Sequence, residues 1–337
     1  MSRARDTANT QDNIGGPTAP YVAGKNAVIN GGMDIWQRGT SFTDVTAGGY
    51  NADRYMVNRS GDVAGINVSR STDIPTGFVY SMKWQRASGN TNTSGTSLYY
   101  GVESNNSYQF AGQTSILSFY AKRGANYSGG TLSVIIGSGT AVDAKPYAYT
   151  TSVASTAVTL NTSWTRYTLT GTFASNIAQV FYSLGWTPTG TAGADDSVYV
   201  TGVQLEIGSI ATPFSRAGGT IQGELAACQR YYYRIANGQA YSVFGAGAGS
   251  SATVIRIAIP THTTMRVYPT SVDYSGVTAW DYAGSAITFT SLALANLANN
   301  PDDPQIDVTG TGITTHRPYY LVANNNVNAY VGLSAEL

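Results

Sequence analysis

Large apolar residues alternate with small polar ones along most of this chain, and few folds satisfy that period of two. In Tyr167-Thr168-Leu169-Thr170 the bulky side chains fall on one face and the threonines on the other, as a half-exposed strand requires. Ile255, Ile257 and Ile259 share one face of a second such segment, with Val254, Arg256 and Ala258 opposite. Ile116-Leu117-Ser118-Phe119-Tyr120 and Leu132-Ser133-Val134-Ile135-Ile136 read as buried strands. Turn clusters such as Ser88-Gly89-Asn90 and Tyr127-Ser128-Gly129-Gly130 separate the segments. No helical pattern lies between these strands, which excludes a parallel βαβ architecture. The expected fold is all-β: two β-sandwich, jelly-roll-like domains.

One segment breaks the period. Ile221, Leu225, Cys228, Tyr232 and Ile235 follow spacings of four and three, the seam of a short helix about two heptads long. It reads either as a linker helix packed on its own domain or as an oligomer seam meeting copies of itself. The expected organisation is therefore an extended segment over 1–25, a jelly roll over 26–217, a linker helix over 218–236 and a second β-sandwich over 237–337. Residues 1–25 lack hydrophobic periodicity; they read as an anchor that orders on a partner, or as a loose terminus. Gly245-Ala246-Gly247-Ala248-Gly249-Ser250-Ser251 and Asn299-Asn300-Pro301-Asp302-Asp303-Pro304 read as long loops.

Charge narrows the function classes. Charged residues are 11 % of the chain, against roughly 25 % in an average soluble protein. Lys and Arg number 19, Asp and Glu 19, for a net charge of zero. No basic stripe exists to neutralise phosphates, so nucleic acid is not an expected partner. The first twenty residues have a basic start without an apolar stretch and do not read as a secretory signal. No apolar run is long enough to insert in a membrane.

No catalytic constellation is visible, and no enzyme, metal site or cofactor is expected. The histidines are His262 and His316, and the one cysteine is Cys228, too few for a His/Cys metal site. Gly-x-Ser-x-Gly is absent. Asp195-Asp196 and Asp302-Asp303 are the adjacent acidic pairs. Strand neighbours point to opposite faces, so neither pair alone makes a two-carboxylate glycosidase site.

Aromatics are the positive signal. The 24 tyrosines and five tryptophans, with Asn, Ser and Gly, offer rigid amphipathic area beside adaptable hydrogen bonds. Sugars suit such surfaces: their C–H faces stack on rings while their hydroxyls meet polar groups. Trp280-Asp281-Tyr282, between Gly276 and Gly284, reads as a loop with two aromatics around a carboxylate. His316 and Tyr319 in His316-Arg317-Pro318-Tyr319-Tyr320 form a second candidate. The alternative for each is a core residue of the second sandwich.

Several blocks together resemble a known family. Asn26-Ala27-Val28-Ile29-Asn30-Gly31-Gly32-Met33-Asp34-Ile35-Trp36-Gln37-Arg38-Gly39 resembles the opening strand of a jelly-roll module of phage tail fibres. Ala52-Asp53-Arg54-Tyr55 is similar to that family's Ala-Asp-Arg-Trp, with tyrosine for tryptophan. The stretch from Val203 to Phe214 resembles its closing strand, and Glu224 to Tyr232 its following helix. Ser2 to Asp6 resembles fibre starts and Ala335-Glu336-Leu337 fibre ends. The resemblance implies a homotrimeric tail fibre subunit, attached to a tail or baseplate protein through residues 1–25. Its carbohydrate-binding-module-like jelly roll and tip domain would hold host cell-surface polysaccharide. It implies assembly in the host cytoplasm and action outside the cell as part of the virion. A structural connector and a glycan depolymerase are the alternative readings.

Overall fold

The computed structural model describes residues 24–45, 49–61, 64–295 and 300–337. Two compact units divide the chain: Met1–Ala227 with Leu337, and Cys228–Glu336. The N-terminal segment read as an anchor, and the fibre-like start Ser2 to Asp6, lie outside the described residues up to position 23.

Among the described residues unit 1 holds eleven strands. They are β1 Ser41–Phe42, β2 Met56–Arg59, β3 Ile66–Ser71, β4 Ser81–Arg86, β5 Thr96–Gly101, β6 Thr114–Arg123, β7 Leu132–Gly139, β8 Thr151–Val158, β9 Thr165–Thr172, β10 Gln179–Trp186 and β11 Ser197–Ile207. One sheet runs β1-β3-β4-β11-β6-β9 and the other β2-β5-β10-β7-β8, with every pairing antiparallel. This is a jelly-roll sandwich. Its core takes Trp84, Phe119, Val134, Tyr182, Leu184 and Val200 from the two inner faces. Large side chains at alternate positions supply this core, so period-two patterning suffices to build it.

The block from Asn26 to Gly39 forms turns and irregular chain, not the expected opening strand. Two buried asparagines take over what a strand ladder would have supplied. The Asn26 amide donates to the carbonyls of Val203 and Ser215, each at 3.0 Å, and its Oδ1 accepts from Val28 and Leu205. Asn30 donates to the Ile35 and Asp53 carbonyls and accepts from the Ile35 amide. Such side-chain bonds compete with regular pairing. Trp36 and Tyr55 are core residues.

Unit 2 contains β12 Tyr232–Ile235, β13 Val243–Gly249, β14 Val254–Ala258, β15 Ser271–Ser275, β16 Val277–Asp281, β17 Thr288–Leu294, β18 Gln305–Thr311, β19 Pro318–Ala323 and β20 Tyr330–Ser334. The sheets are β12-β20-β15 and β16-β19-β13-β14-β18-β17. Ile255, Ile257, Ile306, Val308 and Leu321 form its core.

Two expectations change here. Gly245 to Gly249 is an inner strand, not a loop. The backbones of β13 and β14 approach so closely that a Cβ at Gly247 would meet the Arg256 carbonyl oxygen at 1.8 Å. Glycine is required there, whatever its low strand preference. The helix, α1, spans Ile221–Gln229 alone, while Tyr232 and Ile235 lie in β12, paired with Ser334 and Val331 of β20. A continuous seam through all five positions is therefore absent. Cys228 and Tyr232 are buried, whereas Ile221 and Leu225 are exposed.

Candidate functional site

On the β2-β5-β10-β7-β8 sheet, Leu98, Tyr100, Leu132, Val134, Tyr182 and Leu184 point into the core. Their neighbours point outward, and most of these are small. In register across β5, β10 and β7 they form two rows, Ser97–Gly185–Ser133 and Tyr99–Ser183–Ile135. Small residues flanked by taller ones make a groove of about 390 Å³. Tyr99 and Tyr149 stand on one side, with Thr131, Trp186 and Thr187 toward the other end. From β5 to β7 the floor is about 10 Å wide, two strand spacings.

Glycines keep this floor low. A Cβ at Gly185 would lie 2.7 Å from Ser97 Oγ, and one at Gly137 would lie 2.8 Å from Tyr149 Cγ. Tyr149 therefore rests on the sheet, with its ring 6.5 Å from that of Phe181. Tyr147 from the same loop meets Tyr99 edge-on at 6.2 Å. The buried Gln179 holds that loop: the Ala144 amide donates to its Oε1 at 2.7 Å, and its Nε2 donates to the Ala144 carbonyl at 3.1 Å. Asp143 and Ser104 add a reciprocal pair of bonds at 2.9 and 2.8 Å. The tyrosine wall is thus preorganised, which lowers the ordering cost of binding.

The opposite end of the groove, at Gly95 and Thr96, is set by two buried arginines. Arg86 pairs with Asp196 at 2.8 Å and donates to the carbonyls of Asn90, Asn92 and Gly190. Arg59 donates to the Ala64 carbonyl at 2.9 Å and to the carbonyl of Asn92. Burial, and then the nearby Arg86 charge, hold the Arg59 pKa below its ordinary value.

Among the described residues no charged side chain lines the groove. Its chemistry is hydroxyls, backbone and tyrosine rings. It can hold an uncharged ligand with hydroxyls and an apolar face, and it penalises a charged group, which would lose water without gaining a partner.

The aromatic candidates read from sequence occupy unit 2 and do not form one open site. Trp280 and Asp281 end β16 instead of sitting in a loop. Asp281 is buried, accepts the Ser285 amide at 2.8 Å and pairs with Arg317 at 2.9 Å. Tyr319 is buried in the core, and its hydroxyl accepts the Thr314 amide. That burial removes Tyr319 from any ligand-facing role. Tyr282 is 77 % exposed and His316 is exposed. The groove residues of unit 1 escaped notice because no motif links them. The available signal was that strands 97–99, 133–135 and 183–185 alternate core residues with Ser, Gly and Tyr in place of charged side chains.

The acidic pair Asp195-Asp196 is engaged in structure. Asp195 pairs with Lys83 at 2.9 Å. Burial raises its pKa, but the hydrogen bonds from Lys83, Ser197 and Ala125 outweigh that and leave it below the ordinary carboxylate value. Among the described residues no helix is long and apolar enough to cross a membrane.

The sequence matches no protein-family profile and no curated protein. It is similar to solved structures that include the enzymatically active domain of tailspike protein 4 of bacteriophage CBA120, at 13 % identity and a TM-score of 0.36. That match covers 54 % of this chain and 21 % of the tailspike chain. A family 4 carbohydrate-binding module is 19 % identical, with 54 % of this chain and all 100 % of the module covered and a TM-score of 0.34. The CBM22-1 xylan-binding domain of Paenibacillus barcinonensis Xyn10C is 13 % identical, with 56 % and 98 % covered and a TM-score of 0.32.

Proposed function

We propose that this chain is a non-catalytic glycan-binding subunit of a phage tail fibre, and that the outer groove of unit 1 holds a neutral segment of host surface polysaccharide. The observation that carries the reading is the groove itself: a preorganised tyrosine wall over a floor of Ser and Gly, with no charged side chain lining it among the described residues. The blocks that resemble fibre modules support the phage assignment, and the carbohydrate-binding modules among the structural neighbours are in keeping with a sugar ligand. In this reading residues 1–25 attach the subunit to a tail or baseplate protein, the assembly is a homotrimer, and the protein acts outside the cell on the virion.

Incubating the purified chain with host polysaccharide tests this. Retention without shortening of the polymer is expected, and the Tyr99→Ala/Tyr149→Ala double variant should release it. Shortened chains would mean a depolymerase. Neither retention nor shortening would favour a structural connector. Removal of residues 1–25 should abolish incorporation into particles; truncated protein still found on virions would place attachment elsewhere.

A further inference from the structure

The outer face of the six-stranded sheet in unit 2 carries a second groove, with different chemistry. Trp280, Tyr320, Ala246 and Ala258 lie in register on β16, β19, β13 and β14. All four point away from the core formed by Ala279, Leu321 and Ile257. The row steps from two large rings down to two methyl groups, leaving an apolar floor beside an aromatic wall. Tyr241 extends that wall, its ring 5.3 Å from that of Trp280, and it is 48 % exposed. The space over the floor is about 530 Å³, and Pro260 and Asp303 bound it on the side away from Tyr320.

Asp303 distinguishes this groove from the one in unit 1. Its side chain is half-buried and has no hydrogen-bond or ion-pair partner among the described residues. Three other acidic side chains of the unit are matched, Asp307 with Arg256 at 2.8 Å, Asp281 with Arg317 at 2.9 Å, and Asp273 with the Tyr232 hydroxyl, and Asp302, which does not line the groove, is exposed. A ligand lying over the floor would strip water from the Asp303 carboxylate, which costs free energy unless the ligand brings a donor or a positive charge. The face of Tyr320, which lines the same space, favours the same charge. The floor takes the C–H face of a ring.

We propose that this groove is a second saccharide site, and that it takes an amino sugar whose protonated amine meets Asp303 while its ring lies over Ala246 and Ala258 against Tyr320. The proposal rests on the reading of the chain as a glycan binder, but it assigns a different site and a different sugar class from the uncharged groove of unit 1. It also makes each chain carry two unlike sites, so that a mixed polysaccharide could be held at two points with a gain in effective concentration.

The test uses the full chain and two probes, a glucosamine oligosaccharide with free amines and the same oligosaccharide N-acetylated, followed by ligand-observed NMR titration. The free-amine form should bind up to about fivefold more tightly, as expected for a partly exposed ion pair, and the difference should vanish at high salt. Asp303→Asn should erase the preference for the amine, and Tyr320→Ala should weaken both probes. Asp303 sits outside the strands, so its variant keeps the test valid even if Tyr320→Ala fails to fold. Tyr99→Ala/Tyr149→Ala should leave the amine preference untouched. Equal binding of the two probes, or a preference that survives Asp303→Asn, would overturn the proposal. Loss of all amino-sugar binding in the Tyr99/Tyr149 variant would overturn it too, while leaving the unit 1 groove in place as a sugar site. Conversely, an unchanged affinity of that variant for neutral polysaccharide would count against the unit 1 groove and not against this one.

Discussion

Tyr149 lies on Gly137, with its Cγ 2.8 Å from where a Cβ at position 137 would be. The absent side chain lets the ring rest on the sheet and stand as one wall of the groove. Gly137→Val should push the ring up and away. The clash includes Tyr149 Cβ at 2.9 Å, which no rotamer change moves, so the loop backbone at Tyr149 must shift with the ring while the paired strands stay in place. An aromatic contact of this kind is worth about 1 kcal/mol, so affinity for neutral glycan should fall roughly fivefold. Titration calorimetry beside circular dichroism checks both halves; unchanged affinity in a folded variant would remove Tyr149 from the site.

Single-site affinity should be weak, on the order of millimolar, because each sugar hydroxyl exchanges a water bond for a protein bond. If the chain is carried on a phage particle as proposed, several copies would raise avidity roughly 10²- to 10⁴-fold without new contacts. Comparing the affinity of the purified protein for a short monovalent oligosaccharide with adsorption of whole particles measures that ratio.

Arg86 and Asp196 form an ion pair in which both side chains are fully shielded from solvent. Breaking such a pair from one side leaves an uncompensated buried charge, at about 3–5 kcal/mol. Asp196→Ala should therefore lower the melting temperature of unit 1 by roughly 10 °C, at about 2–4 °C per kcal/mol for a unit of this size. It should also loosen the loop through Asn90 and Asn92 that Arg86 holds. Calorimetry gives the first number and hydrogen exchange the second.

Glu224 is buried on α1, and its carboxylate accepts the amides of Gly218 and Asn30. Burial raises its pKa above the ordinary carboxylate value, and those hydrogen bonds only partly offset the shift. A carboxyl with a raised folded-state pKa binds its proton more tightly folded than unfolded. Its contribution to stability is thus complete below the unfolded value and is lost as pH rises through the folded one. The melting temperature of the wild type minus that of Glu224→Gln should accordingly grow more favourable as pH falls through the carboxylate range. A difference that is flat with pH would contradict the shift.

Leu225 and Tyr232 separate assembly from folding. Tyr232 is buried and its hydroxyl donates to Asp273, so Tyr232→Asp should destabilise unit 2 by several kcal/mol. Leu225 is exposed on α1, and Leu225→Asp should leave melting unchanged. If Ile221 and Leu225 face copies of the chain, light scattering should show a trimer for the wild type and a smaller species for Leu225→Asp. A wild-type monomer at micromolar concentration would set the trimer aside.

The sequence by itself determined the class of fold. Alternation in Tyr167 to Thr170 and in Ile255 to Ile259 is a local property of the chain, and it dictates a strand wherever one face finds a core. Tertiary structure decided the rest. Gly245 to Gly249 carries almost no strand preference, and it is a strand because β14 and β19 pair with it on both sides. The helical spacing from Ile221 to Ile235 is broken because the helix ends at Gln229 and Tyr232 to Ile235 pair with β20 instead. Trp280 and Asp281 were legible as an aromatic and a carboxylate side by side, but alternation along a strand sends them to opposite faces. The groove was the least legible feature. Tyr99, Ser133, Tyr149 and Ser183 belong to separate segments and become neighbours only because β10 lies between β5 and β7. Strand order depends on which faces bury the most apolar surface across the whole unit, and no local stretch of sequence carries that sum.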